Sequence, residues 1–317
     1  MLKKIVVFGG GTGLSQILKG LKLFPVDITA VVSVADNGKS TGQLREDFDI
    51  PAVGDISKVL LSMADIDEDY ENLMNYRFKD DSSIGSHSIK NLVLTALLDI
   101  KEDFDHAIPV FNELFNIKGT VLPLTEDSVH LIGKSTDGCE LIGEEAITKS
   151  KKKIKKIYYD KDFTVNPKID KAVANANLII FSPGSLYTSV LPNLIAPEVA
   201  FAIKKSKAKK LYICNLFTQP GETTDFSVSN HVKVINKYLG KKGLDAVIVN
   251  DIKISKELLK KYATKEQKVP VYFDKKELAK MDITVLSNKT YIIENNYIRH
   301  DSLKTAYLIF SYLMDGK

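Results

Sequence analysis

A short apolar segment near the start of the chain runs directly into glycines, and this pairing constrains the fold more than any other feature. Residues 5–8 (Ile-Val-Val-Phe) are typical of a buried strand, and Gly9-Gly10-Gly11-Thr12-Gly13 follows at once. Residues 14–22 then carry apolar side chains at helical spacing. A strand, a glycine turn and a helix N-terminus bring backbone N–H groups close to an anion, because glycine leaves no Cβ in the way. The segment therefore predicts a phosphate-binding turn.

A second polar loop follows the second predicted strand. Residues 28–34 form an apolar run, and Asp36 and Asn37-Gly38-Lys39-Ser40 come directly after it. Asp36 stands about where an acidic residue binds ribose in dinucleotide folds. Two such loops within the first 42 residues favour a nucleotide-like ligand. The alternative is that both loops are tight turns that bind no ligand.

Three familiar motifs are incomplete in this sequence. The dinucleotide fingerprint that begins at Gly9 has Leu14 in place of its third glycine, which leaves a nicotinamide dehydrogenase as a weak alternative. A P-loop that ends at Lys39 and Ser40 would need a glycine where Ser33 stands. Ser185 lacks the G-x-S-x-G spacing of a hydrolase nucleophile.

Composition narrows the functional classes. The 317 residues are 44% hydrophobic and 26% charged, as in ordinary globular proteins. The net charge of +4 depends on six lysines between positions 149 and 156, because the other 38 basic residues face 40 acidic ones. A nucleic-acid partner is therefore not favoured. We predict that the lysines protect an edge strand, with an anionic partner or a ligand phosphate as the alternative.

Cysteine usage and hydropathy bear on the cellular location. Cys139 and Cys214 have no metal-ligand spacing and are predicted to be core thiols. The histidines show no metal-binding spacing either, so no structural metal is expected. The sequence shows no signal peptide and no long apolar stretch, so we expect a cytoplasmic protein that does not insert into a membrane.

Strands alternate with helical segments along most of the chain, which predicts an α/β fold, namely a Rossmann-like, mainly parallel sheet with helices on both faces. Parallel strands are predicted at residues 5–8, 28–34, 178–181, 210–214 and 246–249. Helices are predicted at residues 56–64, 88–98, 104–115, 168–174, 186–191, 228–239 and 302–314. Residues 119–159 break this rhythm, and we predict that they form a small antiparallel β insertion within a single domain of residues 1–317.

Two more polar loops follow predicted strands in the second half. Ser182-Pro183-Gly184-Ser185 precedes a helical segment, and residues 215–223 are dense in amide and hydroxyl groups. Because the carboxyl ends of parallel strands share one edge of a sheet, all four loops should form a single crevice. Asp55 is either a helix N-cap or a ligand of a bound cation. His87 either contacts a phosphate or helps to cap a helix.

Taken together, these segments resemble the bacterial gluconeogenesis-factor family, in the superfamily of 2-phospho-L-lactate transferase. The run from Ser182 to Leu194 is long and specific, and the resemblance extends from about residue 3 to the segment that contains Arg299. It implies a Rossmann-like fold and a cytoplasmic role in growth on gluconeogenic carbon sources and in cell shape. It also implies binding of a UDP-sugar, UDP-N-acetylglucosamine in particular, without a required cofactor and without a known reaction. Homo-oligomers and regulatory protein partners remain open.

The resemblance also implies the ligand site. Tyr262 and Arg299 lie in segments that match the family's sugar-nucleotide site, where a guanidinium can bind a diphosphate. The alternative to ligand binding is a surface position on a helix for Tyr262 and a salt bridge for Arg299. The residues expected to bind the ligand are Gly10, Gly11, Thr12, Gly13, Asp36, Asn37, Lys39, Ser40, His87, Gly184, Ser185, Thr188, Asn215, Thr218, Tyr262 and Arg299.

The chain departs from the family pattern where the transferase relatives bind a divalent cation. Asn37 replaces a carboxylate, and Lys39, Lys58 and Lys90 replace neutral residues. Losing an oxygen ligand weakens Mg²⁺ binding, whereas Lys39 could neutralise a phosphate. We therefore expect a nucleotide-sugar-binding regulatory protein without turnover. The alternatives are a Mg-dependent phospholactate-type transferase, with Asp36 or Asp55 at the metal, and a structural scaffold without any small ligand.

Overall fold

The first strand, β1 (Lys3–Gly9), lies in the middle of a parallel sheet and is buried on both faces from Ile5 onward. Ile5 and Val7 belong to one hydrophobic core, whereas Val6 and Phe8 belong to another. The two cores lie on opposite faces of the sheet, because successive side chains of a strand point in opposite directions. Helices cover both faces, which confirms the predicted fold class.

The structure is a computed structural model that describes residues 1–79, 81, 84–240, 242–294 and 296–315, and of Lys265 only the backbone. After β1, the strands are β2 (Val26–Val32), β3 (Thr120–Pro123), β4 (Leu131–Ser135), β5 (Glu140–Ile142), β6 (Ile154–Tyr159), β7 (Leu178–Phe181), β8 (Lys209–Ile213), β9 (Ala246–Asn250), β10 (Thr284–Asn288), β11 (Tyr291–Glu294) and β12 (Tyr297–His300).

Fourteen α-helices and one π-helical turn connect the strands in the described part of the chain. The helices are α1 (Gly11–Leu21), α2 (Lys39–Phe48), α3 (Val53–Met63), α4 (Glu68–Asn75), α5 (Ile89–Lys101), α6 (Phe104–Phe115), α7 (Glu144–Ser150), α8 (Lys168–Ala174), α9 (Leu191–Leu194), α10 (Pro197–Lys205), α11 (Val228–Leu239), α12 (Lys256–Lys265), α13 (Lys275–Leu278) and α14 (Ser302–Asp315). The π-helical turn is Leu186–Val190, directly before α9.

The main sheet has seven parallel strands in the order β10-β9-β8-β7-β1-β2-β3. The five predicted parallel strands are confirmed. The prediction was wrong for β3, which was assigned to the insertion but pairs in parallel with β2, Val121 opposite Ala30. Val121 and Leu122 are both buried, which is the pattern of a strand covered on both faces.

The rest of the predicted insertion forms a three-stranded antiparallel sheet in the order β5-β4-β6, with α7 between β5 and β6. The lysine-rich segment enters β6, an edge strand, as predicted. Lys149 pairs with Glu145 at 2.6 Å and Lys152 pairs with Asp137 at 3.0 Å. These exposed pairs are typical of a solvated protein surface.

In the described residues, no single helix is long and apolar enough to cross a membrane, although Leu186–Leu194 and Pro197–Lys205, bent by 72°, reach that length and composition together.

Candidate functional site

The sheet order changes direction between β1 and β7, and two polar turns meet there. From β1 the chain proceeds outward through β2 and β3, and it later returns to β7 on the other side of β1. Ligands of open α/β sheets bind at such a switch point, beyond the carboxyl ends of the strands. The Gly10–Gly13 turn follows β1 and the Ser182–Ser185 turn follows β7. The topology therefore places the predicted crevice between these two turns.

Close packing around the first turn requires glycine at two positions, Gly13 against the second turn and Gly11 against Asp55 of α3. A Cβ on Gly13 would lie 1.9 Å from the carbonyl oxygen of Pro183, so the two turns can come this close only because Gly13 has no side chain. Gly11 has a φ of +50°, and a Cβ there would lie 2.7 Å from Asp55 Oδ1. The glycines thus open the floor of the crevice to a ligand and keep its backbone N–H groups accessible.

Three adjoining cavities occupy this edge of the sheet. The aromatic cavity, of about 480 Å³, includes Phe217, Tyr262 and Arg299. The acidic cavity, of about 300 Å³, includes Asp36, Asp55 and Glu144. The basic cavity, of about 400 Å³, includes Lys39, Lys58, Arg77 and Lys90. The aromatic and acidic cavities share the walls Thr12, Gly13, Gly184, Ser185 and Gln219, and the acidic and basic cavities share Asp36 and Lys58.

The aromatic cavity combines a stacked pair of rings with the guanidinium of Arg299, which packs over the Tyr297 ring at 5.7 Å. The rings of Phe217 and Tyr262 are nearly parallel, at 10°, with centroids 4.4 Å apart. The Tyr262 hydroxyl accepts the backbone N–H of Ile298 at 2.6 Å, which fixes the β11–β12 hairpin beside the cavity. Arg299, the next residue, is exposed and has no carboxylate within ion-pair distance among the described residues. The salt bridge that was the alternative role for Arg299 is therefore not seen among the described residues.

Buried polar groups hold the Ser182–Ser185 turn in place. The Asn215 side chain accepts the Gly184 N–H at 2.9 Å and donates to the Gly184 carbonyl at 2.5 Å. Glu222 accepts the Ser185 hydroxyl and the Tyr187 N–H. Burial raises the pKa of Glu222. These hydrogen bonds fix the backbone of the turn at Gly184, Ser185 and Tyr187 without a ligand, while the second carboxylate oxygen of Glu222 is buried without a partner among the described residues.

Asp55 and Glu144 bring like charges together in the acidic cavity. Asp55 is 7% exposed, accepts the Gly11 N–H and lies 3.8 Å from Lys58 Nζ. Burial, and then the charge of Asp36, raise the pKa of Asp55 to about 7. Burial, and then the charge of Asp55, raise the pKa of Glu144 to about 8. Near neutral pH this pair retains protons that ordinary carboxyls release, and a cation would displace them.

The two acids predicted from the sequence have different local roles. Asp36 accepts the Gly38 N–H at 2.9 Å and the Thr41 hydroxyl at 2.6 Å, and so organises the start of α2. The N-cap interpretation of Asp55 was wrong, because Ala52 is the N-cap of α3 and Asp55 lies inside the first turn. Asp55 is aimed at the glycine turn instead.

The structure places most of the predicted ligand residues on the crevice. The predicted residues that line the three cavities are Gly10, Gly11, Thr12, Gly13, Asp36, Lys39, Ser40, Gly184, Ser185, Asn215, Tyr262 and Arg299. The predicted residues outside these linings are Asn37, His87, Thr188 and Thr218.

Those four residues support the crevice from behind. His87 is 4% exposed and its Nδ1 lies 3.0 Å from the Ser40 hydroxyl, so it neither reaches the cavity nor serves as the N-cap of α5, which is Ser88. The Thr188 hydroxyl donates to Glu144 at 3.1 Å, and the side-chain oxygen Oδ1 of Asn37 accepts the Glu145 N–H at 3.0 Å. Thr218 hydrogen-bonds to the backbone of Val269.

Several lining residues were missed by sequence reasoning. Glu144 lies at the start of the short helix α7, in the insertion, and no local pattern marks it as part of the site. Arg77 is likewise distant in sequence from the glycine turns. Lys58 and Lys90 were noted from the sequence as departures from the family pattern but were not assigned to the ligand site. Phe217 lies within the predicted loop after β8, so its aromatic side chain was the one detectable signal.

Comparisons with known proteins agree with this architecture. Residues 5–291 match the family described as 2-phospho-L-lactate transferase CofD. The gluconeogenesis factor of Bacillus subtilis (strain 168) is 41% identical over 98% of this chain and 98% of its own length. The gluconeogenesis factor of Halalkalibacterium halodurans is 40% identical over 99% of this chain and 97% of its own length.

Solved structures show the same fold. The crystal structure of protein BH3568 from Bacillus halodurans superposes with a TM-score of 0.93, at 40% identity, over 98% of this chain and 100% of that chain. A second crystal structure of the same protein is described as a member of the UPF0052 family. It superposes with a TM-score of 0.92 over 97% of this chain and 99% of that chain.

Proposed function

The chain belongs to the CofD family, together with the gluconeogenesis factors, and we propose that its crevice binds a nucleotide sugar of the UDP-N-acetylglucosamine type. In this proposal the protein acts as a cytoplasmic regulatory factor that supports growth and cell shape on gluconeogenic carbon sources. Ligand occupancy is the signal, and no turnover is required.

The observation that carries the proposal is the arrangement around the aromatic cavity. Its floor is the glycine turn, whose N–H groups at the start of α1 suit a diphosphate. Arg299 stands at the wall of the same cavity, and a guanidinium can form paired hydrogen bonds with phosphate oxygens. A volume of about 480 Å³ is in the usual range for small-molecule sites. Phe217 and Tyr262 add an apolar wall for a flat base or a sugar face.

Calorimetric titration with UDP-N-acetylglucosamine tests the proposal. We expect saturable binding to the native chain and an affinity roughly 10-fold weaker or worse in Arg299→Ala, because a charge-assisted pair with phosphate is lost. The melting temperature of that variant should stay near the native value, since Arg299 is exposed.

Lys261→Ala is the matched control. Lys261 packs over the same Tyr297 ring as Arg299, at 4.7 Å, but does not line the cavity. Its removal should leave the affinity unchanged. Native affinity in Arg299→Ala, or an equal loss in both variants, would contradict the proposed site.

The acidic cavity favours a second candidate function, Mg-dependent transfer of a phosphorylated group. Mg²⁺ in nucleotide sites is typically held by one or two carboxylates together with substrate phosphates, and Asp36 and Asp55 supply oxygen donors beside the glycine turn. Among the described residues, however, no three acidic, histidine or cysteine side chains lie close enough together to hold a metal ion. Protein ligands alone therefore do not complete such a site.

A Mg²⁺ titration separates the two candidates. Regulatory binding predicts that Mg²⁺ leaves the affinity for UDP-N-acetylglucosamine nearly unchanged and that the nucleotide sugar is recovered intact. Metal-dependent affinity with a product in the mixture would favour the transferase and place Asp36 and Asp55 at its centre.

A further inference from the structure

The basic cavity has an excess of positive charge at the end of the crevice remote from Tyr262 and Arg299. Of its described lining residues, Lys39, Lys58, Arg77 and Lys90 are cationic, and Asp36 is the single carboxylate. Asp36 is already engaged by Gly38 and Thr41. Lys58 lies 3.8 Å from Asp55, which belongs to the neighbouring acidic cavity. Within the basic cavity itself, Lys58 and Lys90 therefore have little compensating negative charge from the described protein groups.

Lys90 is the most unusual of these cations because it is almost completely buried. Only 6% of the residue is exposed, and its ammonium donates to the neutral Asn75 Oδ1 at 2.7 Å. No carboxylate lies within ion-pair distance of Lys90 among the described residues. Burial, and then repulsion from Lys58 and Arg77, lower the pKa of Lys90 to about 8. Lysine is rarely buried without a charged partner, so this position is costly in the ligand-free protein.

We propose that the basic cavity is a second ligand site, which binds the phosphate group of a small phosphate monoester between Lys58, Arg77 and Lys90. The ligand supplies the negative charge that Lys90 lacks. This site is separate from the aromatic cavity and does not depend on nucleotide-sugar binding there.

The donor set favours phosphate over a simple carboxylate. The two lysines and the arginine offer more N–H donors than two carboxylate oxygens can accept, whereas a phosphate monoester presents three terminal oxygens and up to two charges. Ser40 and Thr41 line the same cavity, at the start of the ten-residue helix α2, where the helix dipole also favours an anion. A volume of about 400 Å³ leaves room for a polar body beyond the phosphate.

Thermal unfolding with defined probes tests the site. We expect glycerol 3-phosphate and inorganic phosphate to raise the melting temperature of the native chain by several degrees in a saturable way, since a ligand that binds the folded state stabilises it. Glycerol, acetate and chloride at equal ionic strength should not. An equal effect of chloride or acetate would contradict a phosphate site, and so would the absence of any rise.

Lys90→Met and Lys101→Met form the matched pair of variants. Both residues are on α5, but Lys101 is exposed at its end. We expect Lys90→Met to melt at the native temperature or higher without ligand, because it removes a buried charge, and to lose the phosphate-dependent rise. Lys101→Met should keep that rise. A Lys90→Met protein that folds and retains the phosphate-dependent rise would overturn the proposal, and so would one that is destabilised without ligand, which would indicate a purely structural lysine.

The two proposed sites fail independently. Lys90→Met should bind UDP-N-acetylglucosamine with native affinity, and Arg299→Ala should keep the phosphate-dependent rise. Loss of the rise in Arg299→Ala would mean that the probe occupies the aromatic cavity, and the basic-cavity site would then be rejected.

Discussion

Single residues at the aromatic cavity divide into those that face the ligand space and those that hold others in place. Arg299 is exposed, whereas Tyr262 is 5% exposed and uses its hydroxyl to bind the Ile298 N–H. The resemblance placed both residues in the ligand site on equal terms. The geometry gives Tyr262 an additional structural role, since it positions the strand that carries Arg299.

Tyr262→Phe tests this positioning role. The substitution keeps the ring stacked on Phe217 but leaves a buried backbone N–H without its acceptor, which costs about 1–3 kcal/mol. We expect a loss of that order in the free energy of unfolding measured with urea, together with weaker UDP-sugar binding. Tyr272→Phe, at a residue that is 73% exposed, should change neither quantity. Native stability in Tyr262→Phe would show that the hydroxyl contributes nothing to the hairpin.

Residues of the site were predictable where short sequence patterns mark them. The glycine turn and the turn around Gly184 follow strands directly, and their function is carried by backbone. Glu144 and Arg77 were not predictable, because only the tertiary fold brings them to the crevice. His87 was misassigned for a related reason: a buried histidine that supports Ser40 looks the same in sequence as one that reaches a phosphate.

At the scale of secondary-structure elements, the site depends on the contact between the turns after β1 and β7. Apolar runs and glycines predicted both elements and the position of their turns on one edge of a parallel sheet, but not that the two strands are neighbours. Sequence reasoning failed for β3, because a strand of only four residues bounded by turns does not show which sheet it joins. It also assigned residues 39–42 to the polar loop after β2, although α2 begins at Lys39, because glycine and threonine at its start masked the helix.

Gly13→Ala tests the contact between the two turns. The added Cβ would meet the Pro183 carbonyl oxygen at 1.9 Å, so the turns must separate. We expect the free energy of unfolding to fall by about 1–3 kcal/mol, as for other overpacked sites, and UDP-sugar affinity to fall with it.

Gly38→Ala is the comparison for Gly13→Ala. Gly38 has a φ of −57°, and the nearest atom to an added Cβ is a side-chain oxygen of Asp36, at 3.3 Å. The loss of stability should therefore be clearly smaller. Equal losses in the two variants would mean that the contact between the turns has no special importance.

For the whole molecule, the acidic cavity lowers the stability of the folded state whenever Asp55 and Glu144 are ionised, because burial disfavours their charged forms. The pKa of Asp55 rises from 3.8 to about 7, and that of Glu144 rises from 4.5 to about 8. The folded state therefore binds more protons than the unfolded state between those values. These two groups make stability fall as pH rises from about 4 to about 8, and they add no further change above that range.

Asp55→Asn should flatten this pH dependence. The amide oxygen can still accept the Gly11 N–H, while the buried charge is removed. We expect the variant to be more stable than the native chain by roughly 2–4 kcal/mol at pH 8, with little difference near pH 4. Urea unfolding across this pH range in the presence of a chelator measures the effect.

Asp99→Asn, at an exposed position on α5, is the control and should follow the native pH profile. An Asp55→Asn profile parallel to the native one would show that Asp55 does not titrate differently in the folded state.

The fold class was predictable at the level of the whole molecule because alternation of strands and helices fixes it. The charge layout was not, because the acidic and basic cavities each combine residues from distant segments, such as Asp36 with Glu144 and Lys58 with Lys90. The net charge of +4 gives no hint of this separation.

A crystal structure of the protein grown with saturating UDP-N-acetylglucosamine tests the central claim most directly. The proposal predicts that the diphosphate lies between the Gly10–Gly13 turn and the Ser182–Ser185 turn. The Arg299 guanidinium should lie within hydrogen-bond distance of a phosphate oxygen. A nucleotide sugar bound away from these two turns, or an empty aromatic cavity at saturating ligand, would contradict it.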